Sequence, residues 1–213
     1  STWDTDMNVG VNGLMQDVAF GYDRFMALSS LAVYISTDGL QWPGYFVQNV
    51  DFSSLCGVAY GWDPYAFPFT DYFVVVGARD TGGYGATQVI RSSNNGADWT
   101  EAEILSGALS VLWGVPFGED TFVAVGQNDT PTGEADSTII YSVDGGGNCI
   151  DGCAWMDGSP DGPSADLWEV AYGNGRFVAV GSGGTIIYSE NGRAWSPANS
   201  PTANSINGVA YGA

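Results

Sequence analysis

Short apolar runs alternate with turn-forming residues along the whole chain. The runs are four to seven residues long, are rich in Val, Ile, Phe and Tyr, and are bounded by Gly, Asn or Asp. β-Branched and aromatic residues favour strands, and the bounding residues favour turns. No window keeps an apolar period of 3.6 residues between helix caps. The pattern therefore predicts an all-β chain.

One of these runs recurs as the opening of a repeat. Each copy starts with Leu or Ile and ends with Val, a small residue or Pro, an aromatic residue and Gly, and the copies begin at residues 14, 55, 112, 167 and 206. A unit of ~40 residues with four strands is typical of a propeller blade. We therefore predict a β-propeller of four-stranded antiparallel blades, in which the longer units carry loop insertions. The predicted repeats span about 14–54, 55–111, 112–166 and 167–205.

Each end of the chain carries part of a further blade. Residues 206–213 repeat an opening strand, and Trp3 stands where the last strand of a repeat would be. Two interpretations are open: residues 206–213 and 1–13 together build a fifth blade, or the sequence is a segment of a longer repeat protein. The second is favoured, because half a blade would leave strand edges uncovered. We expect one propeller segment over 1–213.

A second motif follows the third strand of each repeat. It combines Ser, an Asp or Asn, a Gly and a later Trp. The Asp or Asn accepts hydrogen bonds from backbone N–H groups of the turn, Gly adopts the positive φ of the turn, and Trp covers apolar surface between blades. We predict structural roles for Ser36, Asp38, Gly39 and Trp42, for Ser93, Asn95, Gly96 and Trp99, for Ser142, Asp144, Gly145 and Trp155, and for Ser189, Asn191, Gly192 and Trp195.

This motif resembles the Asp-box, or bacterial neuraminidase repeat, family, in a form with one residue fewer between Asp and Gly. The resemblance covers nearly the whole chain and implies a β-propeller. It implies no single activity, because the family includes sialidases and non-catalytic scaffolds. Sialidases of the family bind substrate with three arginines and use a Tyr nucleophile paired with Glu. The chain has only five Arg and no Arg-Ile-Pro motif, so no catalytic residue is predicted.

The chain is strongly acidic, with 24 Asp and Glu against 5 Arg, no Lys and no His, and a net charge of −19. Such a surface repels nucleic acid and anionic lipid. The absence of His excludes Ser-His-Asp and Cys-His catalytic arrangements. No apolar run approaches the ~18 residues of a membrane span. The predicted partners are protein or glycan surfaces, copies of the chain or a larger complex, and neither nucleic acid nor the membrane interior.

Two loop features suggest a disulfide and a calcium site. Cys149 and Cys153 flank a Gly-containing loop, which predicts a local disulfide in an oxidising compartment, while Cys56 is expected to be a buried small hydrophobe. Flexible acidic loops offer the oxygen ligands that Ca²⁺ accepts, although turn-rich surface insertions explain the same residues. The candidate calcium ligands are Asp129, Glu134, Asp136, Asp157 and Asp161. No other cofactor is expected.

The insertions in the second and third repeats are the predicted contact surface, because insertions on repeat scaffolds concentrate where binding occurs. Their aromatic side chains suit sugar stacking or protein anchoring, and the candidates are Trp62, Tyr65, Phe67 and Tyr84. The sequence thus predicts a non-catalytic extracellular or cell-surface scaffold. The alternatives are a glycoside hydrolase or lyase with catalytic residues partly outside this segment, and an intracellular assembly factor of the kind that helps build photosystem II.

Overall fold

The computed structural model describes residues 14–46, 53–63, 70–80, 85–93, 96–104, 110–128, 137–143, 145, 154–158 and 165–212. Over these ranges the chain forms seventeen strands and one 3₁₀ turn, Ser182–Gly184, with no α-helix. The prediction of an all-β chain is therefore confirmed. In the same part of the chain, no helix is long and apolar enough to span a membrane.

The strands form four antiparallel sheets, in each of which sequence neighbours pair with one another. The first sheet contains β1 (Met15–Gly21), β2 (Arg24–Ser29), β3 (Ala32–Ser36) and β4 (Gly44–Phe46). The second contains β5 (Ser54–Asp63), β6 (Thr70–Asp80), β7 (Gly85–Ser92) and β8 (Thr100–Glu101). The third contains β9 (Ser110–Gly114), β10 (Phe117–Gly118), β11 (Thr121–Asn128), β12 (Ser137–Ser142) and β13 (Met156–Asp157). The fourth contains β14 (Leu167–Gly173), β15 (Arg176–Gly181), β16 (Ile186–Ser189) and β17 (Ser196–Pro197).

The third sheet departs from the others because its first strand is split. Pro116 lies between β9 and β10, and proline has no N–H to donate to the ladder. Both halves still pair with β11, and the Pro116 carbonyl accepts a hydrogen bond from the Val123 N–H at 3.2 Å. The third sheet is therefore a four-stranded meander whose first strand is interrupted.

Apolar layers join the sheets in chain order. The first and second sheets meet around Met26, Leu28, Leu55 and Phe73. The second and third meet around Val74, Val76, Leu112 and Phe122, and the third and fourth meet around Val123, Val125, Leu167 and Phe177. Stacking of this kind buries the faces that one sheet cannot cover alone. The described residues form four stacked blades and do not close a ring.

A glycine at the end of each first strand receives an aromatic ring from the next blade. A Cβ at Gly21 would overlap the Tyr60 ring, so only glycine leaves room for it. The same arrangement, here called the aromatic seat, pairs Gly61 with Phe117, Gly118 with Tyr172 and Gly173 with Tyr211. Because Tyr211 follows the fourth blade in the chain, residues 206–212 dock on that blade in the way an opening strand does.

Candidate functional site

The Ser-containing turns make a local hydrogen-bond network. In the first blade, Ser36 Oγ accepts from the Gly39 N–H at 2.8 Å. Asp38 Oδ1 accepts from the N–H groups of Leu40 at 2.8 Å and Gln41 at 3.0 Å. The bond from Gln41, followed by that from Leu40, holds the pKa of Asp38 below its usual value. The side chain is thus committed to its own turn.

The fourth blade repeats this network with an amide in place of the carboxylate. Ser189 Oγ accepts from the Gly192 N–H at 2.9 Å, and Asn191 Oδ1 accepts from the Arg193 N–H at 2.9 Å. The motif glycines of all four blades, including Gly96 and Gly145, have positive φ values between 71° and 86°, a conformation that glycine adopts without strain.

In the second blade, the motif begins one residue earlier than the sequence predicted. Ser92 Oγ accepts from the Gly96 N–H at 2.8 Å, and Ser92 is buried whereas Ser93 is exposed. Strand register agrees, because the motif Ser lies opposite a Phe in every blade, as Phe25–Ser36, Phe73–Ser92, Phe122–Ser142 and Phe177–Ser189. The motif serine of the second blade is therefore Ser92, and the assignment of Ser93 was wrong. Asn95 and Asp144 lie outside the described residues.

Three of the motif tryptophans close their turn with a hydrogen bond. The indole Nε1 groups of Trp42, Trp99 and Trp195 donate to the carbonyl of the motif glycine at 3.1, 3.1 and 3.2 Å. These rings are only partly buried. Trp155, which follows an insertion, is 0% exposed, and its Nε1 has no hydrogen-bond partner among the residues that the structure describes. The motif tryptophans were expected to be buried between blades, and of the four only Trp155 is fully buried.

The first strands of the four blades lie next to one another, and each contains a β-bulge near its start. At the bulge one residue has no partner on the second strand, and the register resumes at the next residue. We call these residues the bulge tier: Gln16 and Asp17, Cys56 and Gly57, Trp113 and Gly114, and Trp168 and Glu169.

Asp17 joins two blades through both of its carboxylate oxygens. Oδ1 accepts from the Val18 N–H at 2.7 Å, and Oδ2 accepts from the Val58 N–H of the second blade at 2.8 Å. Burial raises the pKa of Asp17, and the two backbone bonds oppose that rise. Since both oxygens hold backbone groups, the geometry favours a structural role for this side chain.

Glu169 occupies the same place in the fourth blade, but within the described ranges only one of its oxygens accepts a hydrogen bond. Oε1 accepts from the Val170 N–H at 3.0 Å, and a Cβ on Gly114 would lie 2.6 Å from that oxygen. The carboxylate therefore rests on the glycine backbone of the third blade. Burial raises the pKa of Glu169, and the charge of Asp17 raises it further. Oε2 accepts no hydrogen bond from the described part of the chain.

Two indoles and a thiol complete the bulge tier. Trp113 and Trp168 lie with ring centroids 6.1 Å apart and an interplanar angle of 55°. Trp113 Nε1 is buried and has no partner in the described part of the chain. Cys56 is a buried free thiol, as predicted, and burial raises its pKa, which disfavours a reactive thiolate. The bulge tier thus contains a carboxylate and two indoles, which are group types that can bind a cation.

Sequence reasoning missed Asp17 and Glu169 as a pair. The signal was nevertheless present at the residue that precedes the Val of each opening. Three openings carry glycine there, namely Gly57, Gly114 and Gly208, whereas the other two carry Asp17 and Glu169. An exceptional residue at an aligned repeat position is informative in a way that overall acidity is not.

Of the residues predicted for the loops, Trp62 and Asp157 lie within the described ranges. Trp62 is 44% exposed and packs edge-on against Phe117 at 4.7 Å. Asp157 is exposed at the end of β13. The other candidates lie outside the described residues: Tyr65, Phe67 and Tyr84, Cys149 and Cys153, and Asp129, Glu134, Asp136 and Asp161. The described ranges contain no group of three or more metal-ligating side chains. The disulfide and calcium therefore stay predictions.

The arginines have separate partners. Arg79 and Arg176 pair with Glu101 and Glu190, and Arg91 and Arg193 lie over the rings of Tyr72 and Tyr141 at 4.8 and 5.2 Å. Four of the five arginines are thus engaged individually and make no three-arginine site.

A Tyr–Glu pair does occur at the interface of the third and fourth blades. The Tyr172 hydroxyl donates to Glu119 Oε1 at 2.6 Å, and this bond raises the pKa of Tyr172 to about 12. A nucleophilic hydroxyl needs the opposite shift.

Comparisons with known proteins establish the fold. No protein-family model and no curated protein matches the sequence. The solved structure "YCF48 bound to D1 peptide" is similar with a TM-score of 0.60 and 13% identity, over 93% of this chain and 57% of that one. A mutant Trypanosoma rangeli sialidase with trans-sialidase activity has a TM-score of 0.57 and 14% identity, over 92% and 41%. The Niastella koreensis GH74 enzyme has a TM-score of 0.56 and 20% identity, over 89% and 24%.

These structures are β-propellers of the sialidase-like and glycoside hydrolase type. The chain spans well under two thirds of the length of each of the three. At such identities the likeness concerns the fold alone. The chain therefore has a β-propeller fold built from four-stranded antiparallel blades.

Proposed function

We propose that the protein is a non-catalytic binding propeller that holds a positively charged group of a protein partner at the bulge tier. The observation that carries the proposal is the Glu169 carboxylate. Its Oε1 packs against Gly114 of the third blade, and its Oε2 accepts no hydrogen bond from the described residues. The residues that precede Gly114 and Glu169 in the chain are Trp113 and Trp168. A Lys or Arg side chain fits this chemistry, because it donates to a carboxylate and stacks on an indole face.

Two further observations support a protein partner of this charge. The net charge of −19 attracts a basic surface over a distance and accelerates encounter with it. A similar fold, that of YCF48, has been solved with a D1 peptide bound, which is a precedent for peptide binding by such a scaffold.

The non-catalytic part of the proposal rests on which polar side chains are available to bind or activate a substrate. Both Asp17 oxygens accept backbone hydrogen bonds, and the sequence has no His. Four arginines contact separate acidic or aromatic side chains and do not share one site. A glycoside hydrolase is the second candidate, because two interacting carboxylates of raised pKa resemble an acid–base pair. Asp17 weighs against it, since a carboxylate committed to two backbone donors is not available to a substrate.

An extracellular or cell-surface location belongs to the same proposal. It is supported by the acidic, lysine-free composition, and it is the setting in which the predicted link between Cys149 and Cys153 would form. Mass spectrometry of freshly isolated protein under non-reducing conditions tests this location, and two free thiols at these positions would contradict it.

Binding of a hexa-arginine peptide, followed by tryptophan fluorescence and calorimetry, tests the bulge tier. We expect Glu169→Gln to weaken binding about tenfold, because it removes a partly buried partner of the cation. Glu103→Gln is the matched control, since it removes the same charge from an exposed side chain. Equal affinities of the two variants would show that only overall charge matters and would refute the proposal. Release of reducing sugar from glycans, lost in Glu169→Gln, would favour the hydrolase.

A further inference from the structure

Two Asn–Gly pairs lie at turns of the fourth blade. Asn174 and Gly175 form the turn between β14 and β15, and Asn191 and Gly192 lie in the Ser-containing turn between β16 and β17. An Asn–Gly bond is reactive because the Gly amide nitrogen can attack the Asn side-chain carbonyl, and glycine has no side chain to hinder the approach. Both Asn residues are exposed, so exposure does not distinguish the two pairs.

Hydrogen bonds hold both reacting groups of the pair at Asn191. Asn191 Oδ1 accepts from the N–H groups of Arg193 at 2.9 Å and Ala194 at 3.1 Å. The attacking nitrogen is occupied as well, because the Gly192 N–H donates to Ser189 Oγ at 2.9 Å, and Gly192 is buried. Ring closure at this turn requires these bonds to break, and each bond lost slows the step by up to about tenfold.

The pair at Asn174 is not held in this way. Within the described ranges, neither the Asn174 side chain nor the Gly175 N–H makes a hydrogen bond, since the ladder ends at the pair Gly173–Arg176. Gly175 is exposed, and no atom lies within 4 Å of a Cβ built on it. The φ values of 49° at Asn174 and 72° at Gly175 suit the two-residue turn of a hairpin. Nothing in the described part of the chain therefore opposes ring closure here.

We propose that Asn174 is a deamidation site, at which the residue converts to aspartate and isoaspartate while Asn191 keeps its amide. The Gly175 nitrogen attacks Asn174 Cγ and forms a C–N bond. The Cγ–Nδ2 bond breaks, and ammonia leaves with the proton of the Gly175 N–H. Water then opens the resulting succinimide. Attack at Cγ gives aspartate, and attack at the backbone carbonyl of Asn174 gives isoaspartate.

The modification alters a hairpin end that contacts the third blade. The turn fixes the pairs Gly173–Arg176 and Tyr172–Phe177, and the Tyr172 hydroxyl donates to Glu119 of the third blade at 2.6 Å. Isoaspartate lengthens the backbone of the turn, and either product adds a negative charge. The register at Tyr172 and its bond to Glu119 are therefore the interblade contacts that deamidation disturbs.

Ageing of the full chain in heavy-oxygen water at neutral pH, followed by peptide mass spectrometry, tests the proposal. We expect Asn174 to gain the heavy oxygen at least about tenfold faster than Asn191, with both aspartate and isoaspartate among the products. In urea the turn contacts are lost, so the two rates should converge. Ser189→Ala frees the Gly192 N–H and should accelerate the reaction at Asn191 about tenfold. Asn174→Gln is the control, since Gln cannot close the succinimide ring and should leave this turn unmodified.

Two results would overturn the proposal. One is equal rates at Asn174 and Asn191 in the folded chain. The other is an Asn174 that reacts in urea but keeps its amide in the folded chain, which would mean that the hairpin holds the Gly175 nitrogen away from Cγ. The comparison of folded and urea-unfolded wild-type chain needs no variant, so it decides the question even if Ser189→Ala does not fold. None of these measurements depends on cation binding at the bulge tier.

Discussion

Replacing Ser92 by Ala tests where the turn motif of the second blade begins. The Ser92 hydroxyl accepts the Gly96 N–H at 2.8 Å. Gly96 is itself buried, and a Cβ at its position would lie 2.8 Å from Met26 and from Ile35 of the first blade. Water therefore has little access to this N–H once its acceptor is removed.

The expected cost follows from that burial. A buried donor left without an acceptor costs about 1–3 kcal/mol. For a chain of 213 residues, 1 kcal/mol changes the Tm by about 2–4 °C, so a loss of about 2 kcal/mol lowers it by about 4–8 °C. Ser189→Ala should cost a similar amount, because Ser189 Oγ accepts the Gly192 N–H at 2.9 Å in the equivalent turn.

Ser93→Ala is the matched control, since Ser93 is adjacent and exposed. We expect it to change the free energy of unfolding by less than about 0.5 kcal/mol. Urea unfolding followed by tryptophan fluorescence, with calorimetry for the Tm, measures all three variants. If Ser93→Ala destabilised the protein as much as Ser92→Ala, or if neither did, the assignment of the hydroxyl would be wrong.

Three further perturbations test the buried polar groups. Burial raises the pKa of Glu169, so the folded chain binds this proton more tightly than the unfolded chain. Glu169→Gln should therefore raise the Tm at neutral pH, and the gain should vanish below the usual pKa of 4.5; a gain independent of pH would contradict this. Trp155→Phe should lower the free energy of unfolding in urea by no more than Trp195→Phe does, although Trp155 is fully buried. The reason is that Trp155→Phe also removes an N–H without a partner among the described residues, whose burial costs about 1–3 kcal/mol. A clearly larger cost for Trp155→Phe would show that packing dominates. Glu119→Gln should move the pKa of Tyr172 from about 12 toward 10.0, which ultraviolet titration of tyrosinate measures, and an unchanged value would mean that the hydrogen bond is not its cause.

The strands and blades were predictable because their signals are local. Strand propensity, turn glycines and the recurring opening act over a few residues, and the structure confirms an all-β chain of four-stranded antiparallel sheets. The motif glycines Gly39 and Gly192 likewise have the positive φ that their turns require. Motif spacing was less reliable where two serines are adjacent, because Ser92 and Ser93 differ in strand register, burial and hydrogen bonding, which the sequence does not show.

The sequence by itself determined the repeat, the sheet-forming pattern and the strongly acidic charge, because each is a property of short segments or of composition. Only the tertiary structure decided which residues of different repeats contact one another. It placed Asp17 against Val58, laid Glu169 on the backbone of Gly114, and left Tyr211 seated but half-covered. These contacts join residues of different blades, so they depend on how the sheets stack, and no local propensity encodes that geometry.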